Sequence, residues 1–404
     1  MSRPRRLAAT ASLVAAALVV GGCSSDEYVA PPPQQGSEVA HPATAADTVT
    51  ALQDAVADGD GPAASRLGAD VASRALLTAV AENAEALRLQ DVTFRYVDET
   101  GRADDDGWQG LVDVTWRLKS FDEASARVEI PFSFVDGGDH IAAVGGAGTD
   151  RMPVWMSGPV AVRRTASTVV FGPRGPADVA RYARWARRAA GQVRSVLGGR
   201  PRLAVEVPAD SAGLHRALGA KNGAYAAIAA VTAPVDGSRA PGSPVHIFVN
   251  PGVFDALDPV AAQVVMTHEA VHAATGAALS SQGELWLIEG FADFVALHDV
   301  DLPLGRTAGQ IIRQVRKDGL PRQLPSQADF DTASTHLGAV YEAAWLVTVT
   351  LADRGGVDQL VGFYDAVLAG ADLDGELRKR FGWSRKDLTA AWRSRLAAAA
   401  GVPE

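Results

Sequence analysis

Apolar positions along this chain change rhythm several times, and each change marks an element. Over 48–56 and 71–89, Ala, Leu and Val recur three and four apart, which predicts two helices. Strand-like runs follow at 92–97, 108–118, 126–135 and 141–144, with Asp136-Gly137-Gly138-Asp139 as the turn between the last two. A second series begins with a β run over 160–171 and a helix over 177–197, whose apolar face carries Val179, Tyr182, Ala186, Val193 and Leu197. Strands at 202–207 and 245–249 come next, and a helix-rich remainder runs to the end. Strands first and helices after predict an α+β chain, a small sheet laid over a helix.

The first residues have another character. Arg3, Arg5 and Arg6 precede an apolar run over 7–20, the length of an export signal's core and short for a membrane span. Val20-Gly21-Gly22-Cys23 then resembles the lipobox of bacterial lipoproteins. That resemblance implies a signal peptide over 1–22, a lipidated Cys23, and an exported protein held on the outer face of the cell membrane. Residues 23–44, with Pro31, Pro32, Pro33 and Gly36, read as a tether. A small α+β domain over 45–150 and a larger domain over 151–404 follow. Helices leading into an antiparallel meander make the smaller one resemble nuclear-transport-factor-2-like folds.

Charge and cysteine content narrow the chemistry. The formal net charge is -9, and -12 once residues 1–22 are removed, which argues against a nucleic-acid binder. Cys23 is the sole cysteine, so neither an intrachain disulfide nor a multi-thiolate metal site can form. Any metal must be held by His, Asp or Glu. Arg181, Arg184, Arg187, Arg188 and Arg194 stand mostly off the apolar face of their helix and read as a solvated face. His140, alone beside a turn, reads as structural.

The candidate chemistry lies in a helix opened by Asp258-Pro259 and closed by Gly276. It contains His268-Glu269-Ala270-Val271-His272. Histidines four apart project from one helix face, so both imidazoles can reach a single ion, with Glu269 turned toward a water on it. Val264, Val265, Met266 and Val271 suggest that this helix is buried, where imidazoles and a carboxylate need a partner. A second helix follows over 286–294, fourteen residues beyond His272. Glu289 stands there among apolar residues, and Asp293, one turn on, could accept the free N–H of a metal-bound histidine.

H-E-x-x-H followed by Trp286-Leu287-Ile288-Glu289-Gly290-Phe291-Ala292 resembles the gluzincins, the thermolysin and aminopeptidase N group, and among them the bacterial peptidase-MA-like domains. The resemblance covers roughly 160–397. It implies one Zn²⁺ held by His268, His272 and Glu289, Glu269 as general base, and an aspartate four residues after the ligand glutamate, which Asp293 matches. In that family a tyrosine on a later helix can donate to the oxyanion, which suggests Tyr341, with His336 as substitute. Position 278 is Ala278 rather than a third histidine, so the metzincin pattern fails. No G-x-M-E-N loop is present; Asn222-Gly223-Ala224-Tyr225 offers no acid, which argues against aminopeptidase action and leaves endopeptidase or narrow processing activity open.

The expected activity is hydrolysis of a peptide or protein substrate, with an extended peptide adding to a sheet edge at 245–249. The oligomeric state is left open. The alternative is a surface lipoprotein without catalysis, whose N-terminal domain binds a ligand or wall component and whose zinc is structural.

Overall fold

Helix α1 (Pro42–Ala57) starts three residues inside the segment expected as tether, with Pro42 at the first helical position, where a missing N–H costs nothing. The computed structural model describes residues 40–101, 107–146, 150–331 and 336–404. Cys23, the signal peptide expected over 1–22 and most of the segment expected as tether lie outside the described residues. A short helix unforeseen in the sequence, α2 (Gly61–Arg66), leads into α3 (Val71–Leu87), which Asp70 and Ser73 cap reciprocally. Strands β1 (Leu89–Glu99), β2 (Trp108–Leu118), β3 (Ala126–Val135) and β4 (His140–Val144) form an antiparallel meander in chain order. In β3 every second residue is buried, so one face of this sheet packs on the helices. His140 bonds Asp136 across the connecting turn, in keeping with a structural role.

The run expected over 160–171 is a hairpin of two strands, β5 (Ala161–Arg164) and β6 (Thr168–Gly172), because Thr165 turns the chain by accepting the N–H of Thr168 at 2.9 Å. Helix α4 (Pro176–Leu197) crosses to β7 (Leu203–Glu206), and α5 (Ser211–Leu218) precedes β8 (Ala230–Pro234) and β9 (Val245–Val249). The strand order is β5-β6-β7-β9-β8, with β6, β7 and β9 parallel and an antiparallel strand at each edge. Val245–Val249 is therefore an interior strand, not the open edge expected of it. The edge beside it is β8, whose weak Ala-Val-Thr-Ala-Pro pattern gave no strand signal. Its Pro234 is tolerated because an edge strand can spare a donor.

Both faces of this sheet are covered. All five residues of β6 are buried, the mark of a strand without a solvent side. Val170, Leu203, Val205, Ile247 and Val249 pack into the core of the helices that follow. Val169, Phe171, Ala204 and Phe248 pack instead with Phe94, Trp116, Phe132 and Trp155 of the N-terminal region. Phe171 and Phe248 contribute roughly 3 kcal/mol each by that burial. The two regions separated at 150 in the sequence thus share one core, and Glu38–Glu404 form one compact unit.

A buried polar bridge joins the same regions. His246 of β9 places Nδ1 2.7 Å from Glu206 of β7 and Nε2 2.9 Å from Asp122, in the turn after β2. Asp122 also accepts the backbone N–H of Leu118 at 2.7 Å. Burial opposes a charge on His246, but the two carboxylates outweigh it and push its pKa up to about 10.

The remainder is helical. Short α6 (Pro251–Phe254) leads to α7 (Pro259–Thr275), then α8 (Leu285–Leu297), α9 (Leu304–Thr307) and α10 (Gly309–Asp318). Helices α11 (Leu337–Gly355), α12 (Val357–Leu368), α13 (Leu373–Phe381) and α14 (Arg385–Ala400) complete the chain. The α+β class follows from these two sheets and their helices.

Candidate metal centre

Helix α7 is fixed at both ends by its sequence. The Asp258 carboxylate accepts the N–H groups of Val260 and Ala261 at 2.9 and 3.0 Å, and Gly276 closes the helix in the left-handed conformation at φ 71°. Between them the helix has two working faces. Ala262, Met266 and Ala270 enter the core. On that side Gln263 reaches the Trp185 carbonyl of α4, and Thr267 donates to Gln192 at 2.7 Å. His268, Glu269 and His272 line a cleft of about 640 Å³ on the other side.

Helix α8 supplies the third donor. It lies so close to α11 that a Cβ on Gly290 would run into the Ala344 carbonyl, and Thr348 donates to the Gly290 carbonyl at 2.9 Å. This contact seats Glu289, one residue earlier, opposite the imidazoles. His268 Nε2 is 3.0 Å from His272 Nε2 and 3.2 Å from Glu289 Oε2, and His272 Nε2 is 3.5 Å from the same oxygen. A point equidistant from these three atoms lies about 1.9 Å from each, near the roughly 2.0–2.2 Å of zinc bonds to imidazole and carboxylate. The spacing of these three donors fits one zinc ion. This is the one such group of donors among the described residues.

Asp293 lies where the sequence placed it: its Oδ1 is 2.7 Å from His268 Nδ1. With the proton on Nδ1 donated to Asp293, the Nε2 lone pair is free to face the ion. The electrostatics agree. Burial works against a charge on His268, but Asp293 and Glu289 hold its pKa well above the ordinary imidazole value. Glu289 is subject to the same burial, yet His272 and His268 hold its carboxyl far below the usual range. The site is thus built for positive charge, which a proton or a divalent cation can supply.

Glu269 stands apart from the three donors and is 8% exposed. Burial raises its pKa against the pull of His268 and His272, a setting suited to a group that must take up and release a proton. It is held by a residue the sequence did not single out. Thr232 of β8 places Oγ1 2.7 Å from Glu269 Oε2 and 2.9 Å from the Glu269 carbonyl. Nothing local marks Thr232, since the contact depends on β8 being recognised as an edge strand beside α7.

Tyr341 reaches the same cleft from α11, its ring centroid 6.1 Å from that of His268 and 5.4 Å from that of Phe330. Burial, and then the carboxylates of Glu289, Asp293 and Glu269, raise the pKa of its phenol, so it keeps its proton as a donor. His336, the alternative donor, precedes α11 and lines a different depression, with Gln310, Arg313, Lys317 and Ala339. Of the two, Tyr341 shares the cleft with the imidazoles.

The cleft is walled by Ile228–Thr232, from the edge strand β8 and the residues before it, and by Val264, Val265, Leu285 and Ile288. No protein-family model matches the chain, and no curated protein matches it.

Proposed function

We propose that this chain is a zinc-dependent peptidase of the gluzincin type, working outside the cell on a lipid anchor at Cys23. The observation that carries the reading is the convergence of His268, His272 and Glu289 on one point, with the separate carboxylate of Glu269 in the same cleft. A site serving only structure would want a fourth protein donor and would have no use for Glu269. A mixed sheet whose edge strand β8 lies beside the helix of H-E-x-x-H supports the zincin-like reading. The meander with its helices agrees with a nuclear-transport-factor-2-like unit.

His268, His272 and Glu289 would hold the zinc, with Asp293 fixing the tautomer of His268; when bound, the metal would supply Lewis acidity toward water and the scissile carbonyl. Glu269 takes the proton of the attacking water and passes it to the departing amine. Thr232 keeps that carboxylate in place. The Tyr341 phenol donates to the oxyanion that develops on the scissile carbonyl. The free edge of β8 offers backbone donors and acceptors to an extended substrate, which favours a peptide.

The test is elemental analysis beside turnover of a quenched-fluorescent peptide library. The wild type should hold one zinc per chain and cleave. His272→Ala and Glu289→Ala should lose the metal, and Glu269→Gln should keep it and lose turnover. Zinc surviving Glu289→Ala would break the ligand assignment. Turnover surviving Glu269→Gln would remove the base and favour the lipoprotein with a structural zinc.

A further inference from the structure

Helix α4 has two opposed sides. Val179, Tyr182, Ala186, Ala189 and Val193 are buried in the core, and the outer side is arginine. Arg184, Arg187, Arg188 and Arg194 are all exposed. At 100° per residue they fall within a sector of about 120°, spread over about 15 Å of helix. The sequence has no acid from Val179 to Val205, and Arg200 continues the run beyond the helix end. Among the described residues none of these five arginines has a carboxylate within ion-pair distance, whereas Arg181 and Arg174, at the other end of α4, are paired with Asp255. This cationic face stands on a chain whose formal net charge is -9. The fold therefore leaves this charge free to pair with an anionic surface.

We infer that the outer face of α4 docks on an anionic bilayer surface. Guanidinium groups suit this occupant, because each can take two phosphate oxygens at once and is more weakly hydrated than an ammonium. An array of separate exposed cations along a helix suits a plane of many headgroups better than a single small anion. A lipid anchor such as the one Cys23 resembles would bring the body to a bilayer without choosing which face meets it. The charge distribution makes that choice.

The consequence concerns the cleft. Helix α4 meets α7 through Gln263 and Thr267, on the side away from His268 and His272. The arginine face is therefore separate from the cleft, and the docking is independent of whether the cleft hydrolyses peptides.

The experiment uses the chain from residue 23 onward with Cys23→Ser, which keeps the whole compact unit and removes lipidation. Co-sedimentation is measured with vesicles of phosphatidylcholine alone and with one third phosphatidylglycerol. Binding should require phosphatidylglycerol and fall with salt. At roughly 1 kcal/mol per arginine near the surface, the variant with Arg184, Arg187, Arg188 and Arg194 all changed to Gln should lose about a hundredfold to a thousandfold in partitioning. A control changing the exposed Arg239, Arg306, Arg313 and Arg322 to Gln alters net charge equally and should bind almost as the parent does. Equal loss in both variants would reduce the effect to net charge and overturn the docking face. So would binding that does not depend on phosphatidylglycerol, or no binding at low salt.

Discussion

The bridge from Asp122 through His246 to Glu206 makes a prediction about stability and pH. With a carboxylate at each nitrogen and side chains nearly sealed from water, the imidazolium is held to a pKa of about 10 in the folded chain, against 6.5 ordinarily. A group that binds its proton more tightly when folded stabilises the fold fully below its unfolded pKa. That stabilisation is lost as pH rises through the folded value. Here it should be complete below about pH 6.5 and fade toward about pH 10, amounting in all to at most the order of 4–5 kcal/mol. In His246→Gln two buried carboxylates lose their cation, which should cost about 3–5 kcal/mol near pH 6.5. Urea unfolding of both proteins near pH 6.5, 8 and 9.5 gives the gap between them, and the gap should close as pH rises. A gap that stays constant over that range would mean that the imidazole carries no charge in the folded protein, and the bridge would have to be redrawn as neutral hydrogen bonds.

Three further expectations concern the cleft. Thr232→Val, which removes a hydrogen bond of roughly 1.5–3 kcal/mol to an ionised group, should lower kcat about tenfold to a hundredfold with zinc content and KM unchanged, and Thr232→Ser should restore it; a KM effect alone would mean that the residue shapes only the substrate groove. Tyr341→Phe should lower kcat by roughly a hundredfold to a thousandfold while His336→Ala stays within a few-fold of wild type, and the reverse ranking would reassign the donor. Asp293→Asn should weaken zinc binding by about tenfold to a hundredfold in competition with a chelator, and unchanged affinity would show that the His268 tautomer is set elsewhere.

The elements around the candidate centre were legible because each carries its own punctuation. Asp258-Pro259 and Gly276 bracket α7, and the spacing of His268 and His272 fixes their common face. Glu289 and Asp293 stand one turn apart on α8. What escaped depends on contacts across the chain. The β8 sequence has no alternation to betray it, so the open edge was assigned to its neighbour at 245–249, and Thr232 went unnoticed. Asp122 and His246 are 124 residues apart and neither has an unusual local context. The hairpin of β5 and β6 read as one run because Thr165-Ala166-Ser167 is a mild interruption. One signal was present but unused: Thr168-Val169-Val170-Phe171 lacks any polar alternation, which in a strand means cover on both sides.

That double cover changes how damage should spread through the molecule. Substitutions at Phe94, Trp116 or Trp155 lie far from the imidazoles in sequence, yet they loosen the layer on which β6, β7 and β9 rest. A screen for inactive variants should therefore recover lesions in the N-terminal region beside those in the histidine helix, and protein abundance would tell the two classes apart. For the same reason the chain offers no place near residue 150 to cut out a minimal fragment carrying the cleft. A fragment starting there would present Val169, Phe171, Ala204 and Phe248 to water, and inclusion bodies are its expected fate.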